Sequence, residues 1–288
     1  MQHQVCNVQY LNFCLFQKNS FIQQDAMAYN INSANARLIL RLIKHDIEGR
    51  YQGSILGIVW SLVLPLLMLL VYAVVVGKFL NARWPGATGT GEFALILFPG
   101  LMVFSLFSEC INRAPALILG NKNYVKKVVF PLMGLVFIPM GTALFHLALS
   151  FFAWILISLY IQGTIHWTIV FFPIVILPIL ILTLGLSWFL GSLGVYVRDV
   201  AQIMSVVTQI LMYLSPVLYP LDNVPEAYVS LLMLNPLTFI VEQSRIAMNY
   251  GGIPDFVGLA VYSLVASVIC ALGYTFFRVT KHGFADVI

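Results

Sequence analysis

Charge is what this sequence has least of. Only 9% of its 288 residues are Asp, Glu, Lys or Arg, while 60% are apolar. A soluble domain carries about 25% charged residues. Fifteen basic and eleven acidic side chains are too few to cover a water-facing globule of this size, and the mean hydropathy of +0.93 agrees. The composition argues against a soluble enzyme, a nucleic-acid binder and a disordered chain. Cysteine is scarce as well. Cys6, Cys14, Cys110 and Cys270 form no CxxC pair and no metal spacing, so they read as free thiols. The five histidines are scattered and no HExxH occurs. GxSxG is missing, and so is the GxxxxGK[ST] phosphate loop, so this chain does not hydrolyse nucleotide by itself. An enzyme at a membrane face would cluster carboxylates, histidines or a nucleophile beside a base. An ion-coupled transporter would place several carboxylates at mid-depth. Neither pattern is present.

What is present is a series of long runs without formal charge. A charge at the bilayer centre costs about 2.5–3.5 kcal/mol on insertion scales, and a helix needs about 20 residues to cross about 30 Å of hydrocarbon. Tyr51 to Gly77 gives 27 uncharged residues, and Phe93 to Ser108 gives 16 that extend past Glu109. Val128 to Val197 gives 70, enough for two helices joined at the polar patch Gln162–His166. Val200 to Leu221 and Phe256 to Phe277 give 22 each. The expectation is an all-α integral membrane protein with six transmembrane helices, at about 55–78, 93–113, 131–160, 169–197, 200–221 and 255–277. The apolar piece from Ser230 to Val241 is too short to cross. It is flanked by Pro225, broken by Asn235-Pro236 and followed by Glu242 and Arg245, so it reads as a re-entrant hairpin on the outer side between spans five and six.

With the N-terminus in the cytoplasm, inner segments hold 12 of the basic residues and outer ones only Lys78, Arg83 and Arg245. The positive-inside rule then sets the topology, with both termini cytoplasmic. The expected organisation is an extension over 1–26, a cytoplasmic segment over 27–50, a six-span domain over 51–280 and a tail over 281–288. Residues 1–26 lack the basic start and cleavage pattern of a signal peptide. They read as a dispensable extension or as an upstream start-codon misassignment ahead of Met27, which detection of Met1 in the native protein would contradict. From Ser33 to Gly49 the chain predicts an amphipathic helix, capped by Asn32 or Ser33. Ile39, Leu42, Ile43 and Ile47 fall on one face and Arg37, Arg41, Lys44 and Glu48 on the other. This suits a plain juxtamembrane anchor, or a collar that also meets a cytosolic partner or an anionic lipid head group.

Among polar residues inside the runs, His146 reads as a hydrogen-bonded bundle residue. Glu109 and Arg113, four apart, share a helix face and can pair. Arg198-Asp199 reads as a turn-fixing ion pair. Aromatic residues make up 14% of the chain. Most suit lipid-facing or interfacial belts, while Trp60, Tyr72, Tyr213 and Tyr219 are candidates to line a pathway, because aromatic faces stack on the C–H faces of sugar rings. The segment Gly120–Pro131 is short and basic and also carries Tyr124, Val125 and Phe130. A topogenic loop needs its lysines alone, whereas a loop pressed into a partner's groove needs both.

Taken in order, several segments resemble the membrane subunit of polysaccharide-export ABC transporters, the O-antigen, capsule and teichoic-acid group. They are Gly49–Trp60, Glu109–Pro115, Asn121–Pro131, Leu193–Val200, Leu214–Pro220 and Asn235–Thr238, and the likeness covers about residues 35–285. The resemblance implies a homodimer in the bacterial inner membrane, bound to two copies of an ATP-binding subunit that holds the ATP and Mg. No cofactor belongs to this chain. It implies that Asn121, Lys122, Tyr124, Val125, Lys126, Lys127 and Phe130 form the ATPase-coupling loop and that Arg37, Arg41 and Lys44 lie on an interface helix. Pro225, Asn235, Pro236, Glu242 and Arg245 would belong to an outer gate hairpin. The implied substrate is a polysaccharide on a polyprenyl pyrophosphate, exported from cytoplasm to periplasm, with Arg37, Arg41 and the Lys122–Lys127 cluster attracting the pyrophosphate. A drug or small-molecule exporter of the same type, or a membrane enzyme acting on lipid-linked sugars, stays open as an alternative.

Overall fold

The computed structural model describes residues 33–79, 84, 89–122 and 132–287. The expected extension over 1–26 lies outside them, as do Asn32 and Tyr124, Val125, Lys126, Lys127 and Phe130 of the expected coupling loop. Every regular element among the described residues is helical. The chain groups into two compact units, Met1–Leu42 and Ile43–Ile288. In the first, the described part is the opening of helix α1 (Ser33–Tyr51). Arg37 and Arg41 are exposed there, while Ile39 and Leu42 are half-buried.

The second unit holds the remaining helices: α2 (Trp60–Tyr72), α3 (Thr90–Gly120), α4 (Phe137–Gln162), α5 (Phe172–Tyr196), α6 (Val200–Tyr213), α7 (Glu226–Met233), α8 (Pro236–Met248), α9 (Phe256–Thr280) and α10 (Phe284–Val287). With their flanking turns, five are long and apolar enough to cross a bilayer: Gly57–Val75, Thr90–Gly120, Leu132–Gln162, Trp167–Tyr196 and Phe256–Gly283. The chain is thus a multi-pass, all-helical membrane protein. The fifth expected span, 200–221, is only partly helical. Its helix α6 stops at Tyr213 after 14 residues, about 21 Å of rise. Pro216 and Pro220 follow, and neither has an N–H to continue the ladder. Asn235 ends the turn after α7 by accepting the backbone N–H of Leu237, and Pro236 occupies the first turn of α8, where its missing N–H costs nothing.

Helix α3 is the hub. It is largely buried and packs against α2, α4, α5, α6 and α8. Pro99 interrupts it and leaves the carbonyl of Leu95 without its helical donor. The indole N–H of the buried Trp154 on α4 donates to that carbonyl at 3.1 Å, so the vacancy is filled inside the bundle. Helices α5 and α9 touch along their backbones. A Cβ on Gly185 would strike the backbone of Cys270, and one on Gly273 the backbone of Gly185. Such close approach between small residues replaces the hydrophobic effect that lipid cannot supply.

Candidate functional site

A charged cluster ties the second half of α1 to α3 and α4. Amphipathic spacing puts Asp46 on the same face of α1 as Ile43 and Ile47, and Ile43 packs so closely on Gly141 of α4 that an added Cβ would come within 2.5 Å of it. That contact delivers Asp46 to Arg113 on α3, whose guanidinium donates at 2.9 Å to Oδ2 and 2.5 Å to Oδ1. Thr142 on α4 donates to the same carboxylate at 2.8 Å. Burial works against ionised Asp46. The hydrogen bonds from Arg113 and Thr142, with the positive charges of Arg113 and Arg50, outweigh it and hold the carboxyl below its usual value.

One turn further along α1, Arg50 Nη2 lies 2.6 Å from Glu109 Oε1. Glu109 Oε2 lies 2.9 Å from Nδ1 of His146, and Nε2 of His146 lies 3.0 Å from the Tyr51 hydroxyl. A carboxylate only accepts, so Nδ1 carries a proton in its bond to Glu109. Arg113 Nη1 stands 3.8 Å from Glu109. The expected Glu109–Arg113 pairing is therefore the longest link of a network whose shorter links run to α1 and α4.

Two cavities open beside this network. One of about 170 Å³ is lined by Arg50, Tyr51, Glu109 and His146 with Ser61, Leu64, Pro65, Met102, Ser105 and Ser150. The second, about 330 Å³, shares Leu64, Pro65, Met102, Ser105 and Ser150 and adds Met68, Tyr72, Phe98, Leu101, Phe104 and Met212. Together they grade from a charged end to an apolar, aromatic end along α2.

Of the four expected pathway aromatics, Tyr72 lines the apolar end, and Tyr213 and Tyr219 lie outside its lining. Tyr72 approaches the sulfur of Met212 at 4.0 Å. Tyr213 follows Met212 and is 62% exposed. The Tyr219 hydroxyl donates to the Tyr213 carbonyl at 3.1 Å. Trp60 is apart from Tyr72, because it starts the helix that Tyr72 ends, about 18 Å away along the axis. Of the coupling-loop residues, Asn121 closes α3 by donating to the Leu117 carbonyl, and Lys122 is exposed. Lys44 pairs with Glu48 at 3.7 Å on the exposed face of α1.

Among the described residues, the expected gate hairpin holds the most enclosed charge. Pro225 precedes α7, and Asn235 also donates to the Leu211 carbonyl. Arg245 is fully buried. It donates to the carbonyls of Ile96 and Val217 at 3.2 and 2.8 Å and to Glu242 at 2.7 Å. Its guanidinium lies 4.4 Å over the ring of Trp84. In this arrangement Arg245 pins α8 to α3 and to the segment after α6. Sequence reasoning missed Asp46, Thr142 and Trp84 as partners. Asp46 was detectable as an acid on an apolar stripe, whereas the two carbonyls that take Arg245 have no side-chain signature.

Similarity to characterised proteins is spread along nearly the whole chain. It is 26% identical over 253 residues to the O-antigen export system permease protein RfbA of Myxococcus xanthus, covering 87% of this chain and 95% of that protein. To RfbA of Klebsiella pneumoniae it is 24% identical over 269 residues, covering 91% and 98%. To the polysialic acid transport protein KpsM of Escherichia coli it is 24% identical over 249 residues, covering 82% and 91%. Residues 37–249, from the exposed face of α1 to the end of α8, match the family described as ABC-2 type transporter, and the chain belongs to that family.

Proposed function

We propose that this chain is the membrane-spanning subunit of an ATP-driven exporter that moves a lipid-linked, O-antigen-like polysaccharide from cytoplasm to periplasm. The observation that carries the reading is similarity, over at least four-fifths of the chain, to relatives named as polysaccharide permeases. Two copies of the chain stand side by side in the inner membrane with two ATP-binding subunits beneath them. Each copy has six spans. The fifth is α6 continued by the irregular segment to Leu221, α7 and α8 form the re-entrant outer hairpin, and both termini are cytoplasmic. The domain boundaries follow those read from the sequence, with 51–280 as the permease domain.

ATP and Mg bind to the partner, and their closure is felt at the loop over 121–131. Asp46–Arg113 and Arg50–Glu109–His146 lock α1 to α3 and α4, so movement at the loop shifts these helices as one body. That shift opens the path between copies, where Tyr72, Tyr213 and Tyr219 hold sugars by their apolar faces. Arg37, Arg41 and the lysines of the loop draw the pyrophosphate head toward the entrance. Deleting the gene tests the reading. Lipid-linked polymer should accumulate in the cytoplasm and disappear from the surface, with recovery on complementation. Unchanged surface polymer together with a new sensitivity to small molecules would overturn it.

A further inference from the structure

The two cavities beside the charged cluster meet at a shared neck. The smaller, about 170 Å³, has the charged cluster in its wall, and the larger, about 330 Å³, is lined mainly by apolar and aromatic side chains. Leu64, Pro65, Met102, Ser105 and Ser150 line both. The larger has about twice the 150 Å³ of an apolar cavity that takes up one benzene ring. Along α2 the lining runs from Ser61 to Tyr72, about 16 Å of helix, and one leaflet of hydrocarbon is about 15 Å deep. Only Ser61 and Leu69 of α2 are buried, so this helix stands off from α3 and α4 over the length of the cavities.

The neck differs from the other apolar contacts in its hydroxyls. Thr183, Ser244, Ser263 and Ser267 each donate to a carbonyl one turn earlier in their own helix. Ser105 on α3 and Ser150 on α4 do not, and their hydroxyls make no hydrogen bond among the described residues. A hydroxyl without a partner is costly in apolar surroundings, so these two call for an acceptor in the neck. Glu109 lies four residues beyond Ser105 and His146 four before Ser150, about 6 Å along each axis. Arg50 stands at that level. Its Nη2 faces Glu109 at 2.6 Å and 35% of its side chain is exposed, while its other nitrogens make no hydrogen bond among the described residues. In order, the cavities therefore offer a cation, two free hydroxyl donors and an apolar slot.

We propose that these cavities seat one glycerophospholipid of the bilayer, with its phosphate diester on Arg50, an ester carbonyl on the hydroxyls of Ser105 and Ser150, and one acyl chain in the larger cavity up to Tyr72. The three zones of the protein match the three zones of that lipid in the same order. A guanidinium donates to phosphate oxygens through a planar pair of N–H groups. An ester carbonyl has no hydrogen to give and answers the two hydroxyl donors. The acyl chain fills the apolar slot, which water leaves dry. The two faces of α1 suit the membrane surface, which puts Arg50 near its end at the level of the head groups. A polyprenyl phosphate has the phosphate and the chain but no ester, and it leaves both hydroxyls unpaired. The second acyl chain stays among the bilayer lipids. The seated lipid acts as a wedge that sets the spacing of α2 from α3 and α4, whatever the chain exports.

The test uses the full chain purified from membranes in detergent and depleted of lipid. Diacyl phosphatidylglycerol is added back and compared with its ether-linked analogue and with a polyprenyl phosphate. Native mass spectrometry counts lipids kept per chain, and the unfolding midpoint against lipid concentration gives the affinity. The diacyl lipid should be kept at one per chain and raise the midpoint. The ether lipid should bind about fivefold more weakly, the worth of one ordinary hydrogen bond. Ser105→Ala/Ser150→Ala should bind both lipids alike, at the level of the ether lipid. Ser105→Phe fills the neck and should keep none; if it does not fold, the Ala pair decides. Equal binding of diacyl and ether lipid by wild type would overturn the proposal. Tighter binding of the polyprenyl phosphate would overturn it too, by making the cavities a substrate seat. So would one diacyl lipid kept per chain by folded Ser105→Phe, which would place the lipid elsewhere.

Discussion

Arg245 illustrates how much one residue can bind together when it is buried and each of its three nitrogens donates a hydrogen bond. Its partners are Glu242, two backbone carbonyls and the Trp84 ring. Removing one member of a buried charge pair costs about 3–5 kcal/mol. Arg245→Ala is therefore expected to reduce folded protein in detergent sharply, read as a lower thermal unfolding midpoint. Arg245→Lys should recover little, because an ammonium lacks the planar fork that reaches several acceptors at once. Asp46 gives a pH-dependent counterpart. Its folded-state carboxyl titrates below its unfolded value, so its stabilisation is full above the ordinary carboxylate range and is lost as pH falls through the folded value. The stability gap between wild type and Asp46→Asn, at most about 1.5–3 kcal/mol for charge-assisted hydrogen bonds and less for a part-exposed group, should be present at neutral pH and close in acid. Thermal unfolding across a pH series checks it.

At the scale of elements, the interruption in α3 is compensated across a helix pair. Pro99 frees the Leu95 carbonyl, and Trp154 fills it. Trp154→Phe should cost about 1–3 kcal/mol by orphaning that buried acceptor. Pro99→Ala restores a donor within α3, so the double variant should lose less than the two single variants together. A double-mutant cycle on unfolding midpoints measures the difference. The amphipathic pattern of α1 was legible in the sequence down to its half-buried Ile39, Leu42, Ile43 and Ile47. The shortness of α6 was not, because a charge-free run continues past Pro216 while the helix does not.

At the scale of the whole molecule, the export reading proposed above requires force from a partner to enter at one end and reach the path at the other. The network from Asp46 and Arg50 to Arg113, Glu109 and His146 crosses three helices, and the graded cavities start from it. Tyr124→Ala with Lys126→Ala should leave the amount of assembled complex unchanged and reduce export. ATP hydrolysis by the partner should then no longer respond to substrate. Parallel measurement of complex yield, ATPase rate and surface polymer checks this, and unchanged export would remove the loop from the coupling route.

By itself the sequence determined that this chain lives in a membrane, how long most of its apolar helices are, and to which transporter group its ordered motifs are similar. Those properties are sums over local stretches: uncharged runs against bilayer thickness, and basic residues counted per loop. Only the tertiary structure decided which charges meet. Glu109 and Arg113 share a helix face in any helical reading, yet their short contacts go to Arg50, His146 and Asp46. Arg245 lies beside Trp84 and Ile96, far away in sequence. Pairing of this kind depends on the rotation and depth at which whole helices lock together, and no window along a single chain carries that information.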